Sequence, residues 1–168
     1  AVKGTGVTII DTRKTTPGWR YLEKAAVVSG GGQKHRMGLY DRAMVKDNHL
    51  VVEGGIRALR EAAVRLKEHH PEVEVEVEAE NLRQVEAFLE VEEFDYLLLD
   101  NMENEEMKRA VQIRGDRERP LLEASGGVSL ETVRGIAETG VEFISVGALT
   151  HSATALDLSL EFVEWEQS

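Results

Sequence analysis

Short apolar runs, mostly of two to six residues, recur along the chain, and each ends in polar or glycine residues. Val7 to Ile10 runs into Asp11-Thr12-Arg13, Ala43 to Val45 into Lys46-Asp47-Asn48, and Val73 to Ala79 into Glu80-Asn81. Tyr96 to Leu99 precedes Asp100-Asn101, Leu121-Leu122 precedes Glu123 to Gly127, and Phe143 to Val146 precedes Gly147-Ala148. Val27-Val28, ahead of three glycines, is a candidate for a further short strand. Between the runs, apolar residues three and four apart mark helices. Ile56, Leu59, Ala63 and Leu66 form one face; Leu82, Val85, Phe88 and Leu89 form another. Asn81, Asn104 and Ser129 are expected to cap helix N-termini, and Gly140 to stop a helix. Strands alternating with helices predict an α/β fold with a parallel sheet of six or seven strands. That count suits either an open doubly wound sheet or a small (β/α) barrel. In both, functional groups gather at the carboxyl ends of the strands, here Arg13, Lys14, Lys46, Glu78, Asp100, Ser125 and Gly147.

Two stretches depart from the pattern. Glu72, Glu74, Glu76, Glu78 and Glu80 alternate with Val73, Val75, Val77 and Ala79, giving one apolar and one anionic face. A parallel strand buried on both faces reads as continuous apolar residues instead. The plain expectation is an edge strand with the earlier glutamates in water, Glu78 standing apart at the mouth. Near the C-terminus, Leu156, Leu158, Leu160 and Phe162 alternate with Asp157, Ser159, Glu161 and Val163. They predict a strand that leaves the barrel, with no obvious partner in the chain. The division expected is a barrel over residues 1–155 and a terminal strand over 156–168.

Composition narrows the function. A chain of 168 residues, 42 % hydrophobic, supports one domain with a real core. It has no cysteine, which removes disulfides and thiolate metal sites and fits a reducing, cytoplasmic setting. There is no membrane-span-length apolar run and no signal-peptide core. A net charge of −11 argues against nucleic acid or an anionic membrane as partner. The charge is uneven. Residues 11–49 carry eight Lys/Arg against four Asp/Glu, whereas residues 72–106 carry 14 acidic residues and one basic, Arg83. A basic island with interleaved Gly, Thr, Asn and His in an acidic chain points to an anionic ligand.

The chemistry-bearing residues agree with that. Arg13, Lys14, Arg36 and Lys46 suit carboxylates and phosphates. Gly126-Gly127 and Gly147-Ala148, on consecutive units near Ser125 and His151, resemble a two-loop phosphate grip. Glu78 and Asp100 suit Mg²⁺, held directly or through water, or a developing cation. His69-His70, before Pro71, reads as solvent-exposed. Zinc-ligand spacing, a Walker loop, a dinucleotide fingerprint and a Ser-His-Asp arrangement are all missing.

With those residues in view, the chain resembles the barrel domain of the quinolinate phosphoribosyltransferase family. The motifs are Asp-Thr-Arg-Lys-Thr-Thr-Pro-Gly (11–18), Gly-Gly-Gly-x-x-His-Arg-Met-Gly-Leu-Tyr-Asp (30–41), Lys-Asp-Asn-His (46–49), Leu-Leu-Asp-Asn-Met (98–102), Glu-Ala-Ser-Gly-Gly-Val (123–128) and Ile-Ser-Val-Gly-Ala-Leu-Thr-His-Ser (144–152). They cover nearly the whole chain in family order. The family joins this barrel to an N-terminal sandwich domain, which these residues lack, and the terminal strand would return to pair with it. Members form homodimers or higher oligomers, in which the partner's N-terminal domain supplies an arginine.

The resemblance implies conversion of quinolinate and phosphoribosyl pyrophosphate to nicotinate mononucleotide, pyrophosphate and CO₂, with Mg²⁺. Arg13, Lys14, His35, Arg36 and Lys46 would bind substrate. Lys14, Lys46, Glu78 and Asp100 would be catalytic, with Glu78 and Asp100 also nearest the metal. Ser125, Gly126, Gly127, Gly147, Ala148 and His151 would hold the 5′-phosphate. Two alternatives stay open: a barrel that binds ligand without turnover, and a phosphosugar isomerase or aldolase barrel, which needs a Schiff-base lysine in an apolar pocket or an acid/base pair.

Overall fold

The computed structural model describes residues 1–46 and 55–162. The apolar runs become the strands β1 (Thr8–Ile10), β2 (Arg42–Val45), β3 (Glu74–Ala79), β4 (Tyr96–Asp100), β5 (Leu121–Ser125) and β6 (Phe143–Ser145). They form one six-stranded sheet in the order β1-β6-β5-β4-β3-β2, with every neighbouring pair parallel. That order chooses between the two architectures. A doubly wound sheet reverses its direction of travel at a switch point. Here the strands follow one another round a single cycle that is cut between β1 and β2, which is barrel winding. At the cut, Ile10 makes an isolated parallel bridge to Gln33. The Gln33 N–H donates to Ile9 O at 2.9 Å, and the Asp11 N–H donates to Gln33 O at 3.2 Å. The segment carrying the glycines and His35 thus lies along the free edge of β1.

The helices are α1 (Arg20–Ser29), α2 (Ile56–His69), α3 (Leu82–Phe88), α4 (Asn104–Arg114), α5 (Val133–Ala137) and α6 (Ala148–His151). Val27-Val28, expected as a short strand, lies inside α1 with Val27 buried. The preceding Ala25-Ala26 favours helix, and two valines are too few to overturn it. The periodic faces hold: Leu59 and Ala63 of α2, and Val85 and Phe88 of α3, are buried. The Asn81 side chain caps α3 by accepting from the Gln84 N–H at 3.1 Å. The expected cap Asn104 is off by one, because Glu103 caps α4 in a reciprocal box with Glu106. Ser129 holds the turn before α5, accepting from the Glu131 N–H at 3.2 Å, while Thr132 occupies the N-cap position. Gly140, at φ 96°, turns the chain after that helix. Among the described residues, no helix is long and apolar enough to cross a membrane.

The anionic strand is a correction. β3 is not an edge strand; it lies between β2 and β4. Its Val75, Val77 and Ala79 join Leu97, Leu99, Leu122, Ala124 and Ile144 in one core with Leu59, Val85, Phe88, Met107, Ala110 and Ile136 of the helices. The opposite parity faces the barrel interior, where Glu76 is fully buried. Its company explains this, because Glu76 meets His35 and Arg42 rather than water. The barrel therefore has an apolar outer layer and a charged interior. The strand expected over 156–163 had no partner foreseen in this chain. Residues 153–162 carry no regular structure and no ladder partner among the described residues, and Val163 lies outside them.

Candidate active site

At the carboxyl ends of the strands lies a cavity of about 260 Å³. Arg13 and Lys14 reach it from the turn after β1, Lys46 from the residue that follows β2, and Glu78 from β3. Asp100 comes from β4, Ser125 from β5 and Ser145 from β6, with His35 and Arg36 entering from the segment beside β1. Eight expected site residues thus line one space, although they arise from six places in the sequence. Of the motif at 46–49, Asp47, Asn48 and His49 lie outside the described residues.

Strand register sets the first pair. Val45 stands beside Val77, so Lys46 and Glu78 follow side by side, and Lys46 Nζ meets Glu78 Oε2 at 2.6 Å. The Lys46 side chain stays 51 % exposed, so the ammonium remains wet at the cavity rim. The two guanidinium groups contrast with this pair. Arg36 is steered by Arg42 O at 3.0 Å. Burial lowers the Arg36 pKa, and the charge of Arg13 lowers it further. Arg13 Nε is buried without a hydrogen-bond partner among the described residues. Two cations that repel across one cavity, one with an orphaned donor, describe a site built for an anion.

Beneath them His35 is buried, with Nε2 3.3 Å from Glu76 and 3.4 Å from Glu123. The Arg36 N–H donates to Nδ1 at 2.7 Å. Burial pulls the His35 pKa down, and Glu123 and Glu76 more than reverse this, raising it from 6.5 to about 9. Protonating Nδ1 breaks the Arg36 bond, which limits how far that rise goes. Burial also pushes Glu76 up, but His35 and Arg42 outweigh it and the pKa falls. For Glu123, burial and the charge of Glu76 both push the pKa up. His35, Glu76 and Glu123 bring ligand atoms within 4.8 Å of one another, as a metal site would. The nitrogen facing the carboxylates carries the proton in either state of the ring, however, so it has no lone pair for a metal. Both ring nitrogens of His35 are engaged inside the protein, so neither is free for a direct polar contact with substrate.

The glycine turns expected to hold phosphate are also placed. Gly126 has φ 95°, and a Cβ there would fall 2.1 Å from Asn101 Oδ1. Asn101 itself sits at φ 52°, bonds Asp100 Oδ2 through Nδ2 at 3.0 Å, and donates its N–H to Ser125 O at 2.9 Å. Across the mouth, Thr150 Oγ1 donates to Lys14 O at 2.6 Å. A Cβ on Gly147 would lie 2.7 Å from His151 Nε2 and 3.7 Å from Lys14 Cδ. The Gly147–His151 turn and Lys14 are therefore neighbours, whereas Gly126, Gly127, Gly147, Ala148 and His151 flank the cavity rather than line it.

Reasoning from sequence missed Thr12, Met44, Leu98, Glu123 and Ser145 in the lining, as well as Asn101 behind it. Glu123 was findable by parity, since it precedes the inward Ser125 by two on the same strand.

Known proteins carry the same arrangement of sequence and fold. The chain matches the family described as quinolinate phosphoribosyl transferase, C-terminal domain, over residues 1–161. It is 48 % identical over 166 residues to a nicotinate-nucleotide pyrophosphorylase [carboxylating] of Mycobacterium leprae, covering 96 % of this chain and 56 % of that protein. A chloroplastic nicotinate-nucleotide pyrophosphorylase of Arabidopsis thaliana is 45 % identical, with 91 % and 48 % covered. The solved nicotinate-nucleotide pyrophosphorylase of Francisella tularensis superposes with TM-score 0.85 at 39 % identity, covering 94 % of this chain and 54 % of that one. The chain thus spans about half the length of these relatives. A charged barrel mouth, the ordered motifs and these matches together place the chain in the quinolinate phosphoribosyl transferase C-terminal domain family.

Proposed function

We propose that this barrel carries the phosphoribosyl-transfer site for quinolinate, giving nicotinate mononucleotide, pyrophosphate and CO₂. The observation that carries the reading is the pair Arg13 and Arg36, repelling in one cavity that Glu78 and Asp100 also line. The cations fit a pyridine dicarboxylate. The carboxylates fit the positive charge that develops on the ribose.

In this reading Arg13, Arg36 and Lys46 hold the two carboxylates and aim the pyridine nitrogen at ribose C1′. The nitrogen forms the new C–N bond while the C1′–O bond breaks and pyrophosphate leaves with the electron pair. Lys14, beside the Gly147 turn, draws charge toward the leaving group. Ser125 to Gly127 and Gly147 to His151 anchor the 5′-phosphate. The product pyridinium then accepts the electron pair released when the C2 carboxylate departs as CO₂, and a proton from solvent completes C2. No side-chain nucleophile is required. His35 acts behind Arg36 rather than on the ligand.

Glu78 and Asp100 are the oxygen donors that fit Mg²⁺, a hard cation bound by few carboxylates and substrate phosphates. When bound, the ion would neutralise diphosphate charge. The Schiff-base alternative finds a poor site, because Lys46 is half-exposed and ion-paired, while buried Lys24 is bound to Asp11. A cytoplasmic setting and a dimer completed by a further domain belong to the same reading, although a plant relative is named chloroplastic. The test is formation of nicotinate mononucleotide from quinolinate and phosphoribosyl pyrophosphate. Binding of both without product would support the ligand-binding alternative, and no affinity for quinolinate would end the proposal.

A further inference from the structure

One face of α1 holds polar residues where a packing helix would hold apolar ones. Arg20, Glu23 and Lys24 lie three and four apart, hence on one side of the helix, and all three reach back to the segments that bear the anion-binding cations. At the lower turn, fully buried Lys24 bonds Asp11 Oδ1 and, at 3.1 Å, His35 O. The same Asp11 oxygen accepts from the His35 N–H at 2.8 Å. One turn earlier, Arg20 spreads its donors over both segments. Nε donates to Thr15 Oγ1 at 3.0 Å, one terminal nitrogen to Arg13 O at 3.2 Å, and the other to Met37 O at 3.1 Å. Glu23 accepts from the Thr16 N–H at 3.1 Å, closing the same turn.

We propose that Arg20, which does not reach the cavity, is a positioning residue that fixes the spacing between Arg13 and Arg36. It grips the residue that carries one guanidinium and the residue next to the other. The planar fork makes three directed bonds that an ammonium cannot reproduce. Such a strap is required because Arg13 and Arg36 repel each other and, left alone, would move apart. The consequence is specificity, since two guanidiniums at a fixed spacing select a rigid dicarboxylate over a monocarboxylate. This inference rests on the quinolinate reading for its ligand, but not for its geometry.

The test uses Arg20→Lys in the purified protein, with thermal melting to confirm folding. Quinolinate titration should show roughly tenfold weaker binding, whereas nicotinate, with one carboxylate, should lose less than about threefold. In an Arg13→Ala background, Arg20→Lys should cost less than about twofold more, because the group that it positions is gone. An unchanged affinity for quinolinate, or a full independent loss in the Arg13→Ala background, overturns the proposal. A ligand-free measurement stands apart from the function. The Arg13 Nε–H signal in ¹H–¹⁵N spectra, assigned by its loss in Arg13→Lys, should exchange slowly with solvent in the wild type and at least about tenfold faster in Arg20→Lys. Equal exchange in the two proteins overturns the positioning role. Wild-type protein with no affinity for quinolinate refutes the functional reading instead, and the exchange measurement then decides this one.

Discussion

At the scale of single residues, the site mixes two kinds of cation. Arg36 is partly buried and steered by a backbone carbonyl, whereas Lys46 is half in water and shared with Glu78. Arg36→Ala should therefore weaken quinolinate binding by about 2 to 3 kcal/mol, and Lys46→Ala by about 1 to 2 kcal/mol. Calorimetric titration checks both, and equal small losses would contradict the ranking. His35 gives a pH signature. Its folded pKa lies above the ordinary 6.5, near 9, so its proton stabilises the fold fully below about pH 6.5. That stability is lost as pH rises through 9, at no more than about 1.4 kcal/mol per pH unit. Melting temperature should fall across this window, and His35→Gln should flatten the slope. Much of this scale was legible: motif and strand-end position gathered Arg13, Lys14, Arg36, Lys46, Glu78 and Asp100, and all six line one cavity. What stayed hidden was direction. Sequence cannot show that the His35 ring turns down toward Glu76 and Glu123, because that choice is made by residues 41 and 88 positions away.

At the scale of elements, alternation was the reliable signal and neighbourhood was the missing one. The Glu-Val pattern of β3 correctly marked two faces, yet its polar face was expected in water. A barrel encloses that face, and the enclosing residues Arg42 and His35 come from other elements. Val27-Val28 failed as a strand for the opposite reason, since local helix preference over ten residues outweighed a run of two. The glycine turns were expected to hold phosphate from their place after consecutive strands and from the family resemblance. The structure adds a steric reason at Gly126, where any side chain would collide with Asn101. Gly126→Ala should displace Asn101 and cost about 1 to 3 kcal/mol of stability, with φ strain contributing. Ribose 5-phosphate affinity should drop in parallel, by roughly tenfold or more, as read by titration. Retained affinity would separate this turn from phosphate binding.

At the scale of the whole molecule, the most exposed apolar residues are concentrated beyond the barrel. Leu156, Leu158, Leu160 and Phe162 are 81–96 % exposed and alternate along an unpaired segment. Such a stripe promotes association. Light scattering should show self-association of the purified chain at micromolar concentration, and replacing these four residues with serine should reduce it without lowering the melting temperature. A monodisperse monomer would contradict that expectation. The seam beside β1 has a further consequence, in time rather than space. β1 finds its ladder partner in β6, so that ladder must wait for the last of the six strands. Contacts so distant in sequence form late in folding. Until Phe143–Ser145 arrives, the end of β1 that leads into Arg13 and Lys14 is held from the side of Gln33 and Arg20 and not yet from the side of β6. A ribosome-bound chain stalled before residue 143 should have the β2–β5 ladder protected from hydrogen exchange, with quinolinate bound more weakly than by the finished barrel.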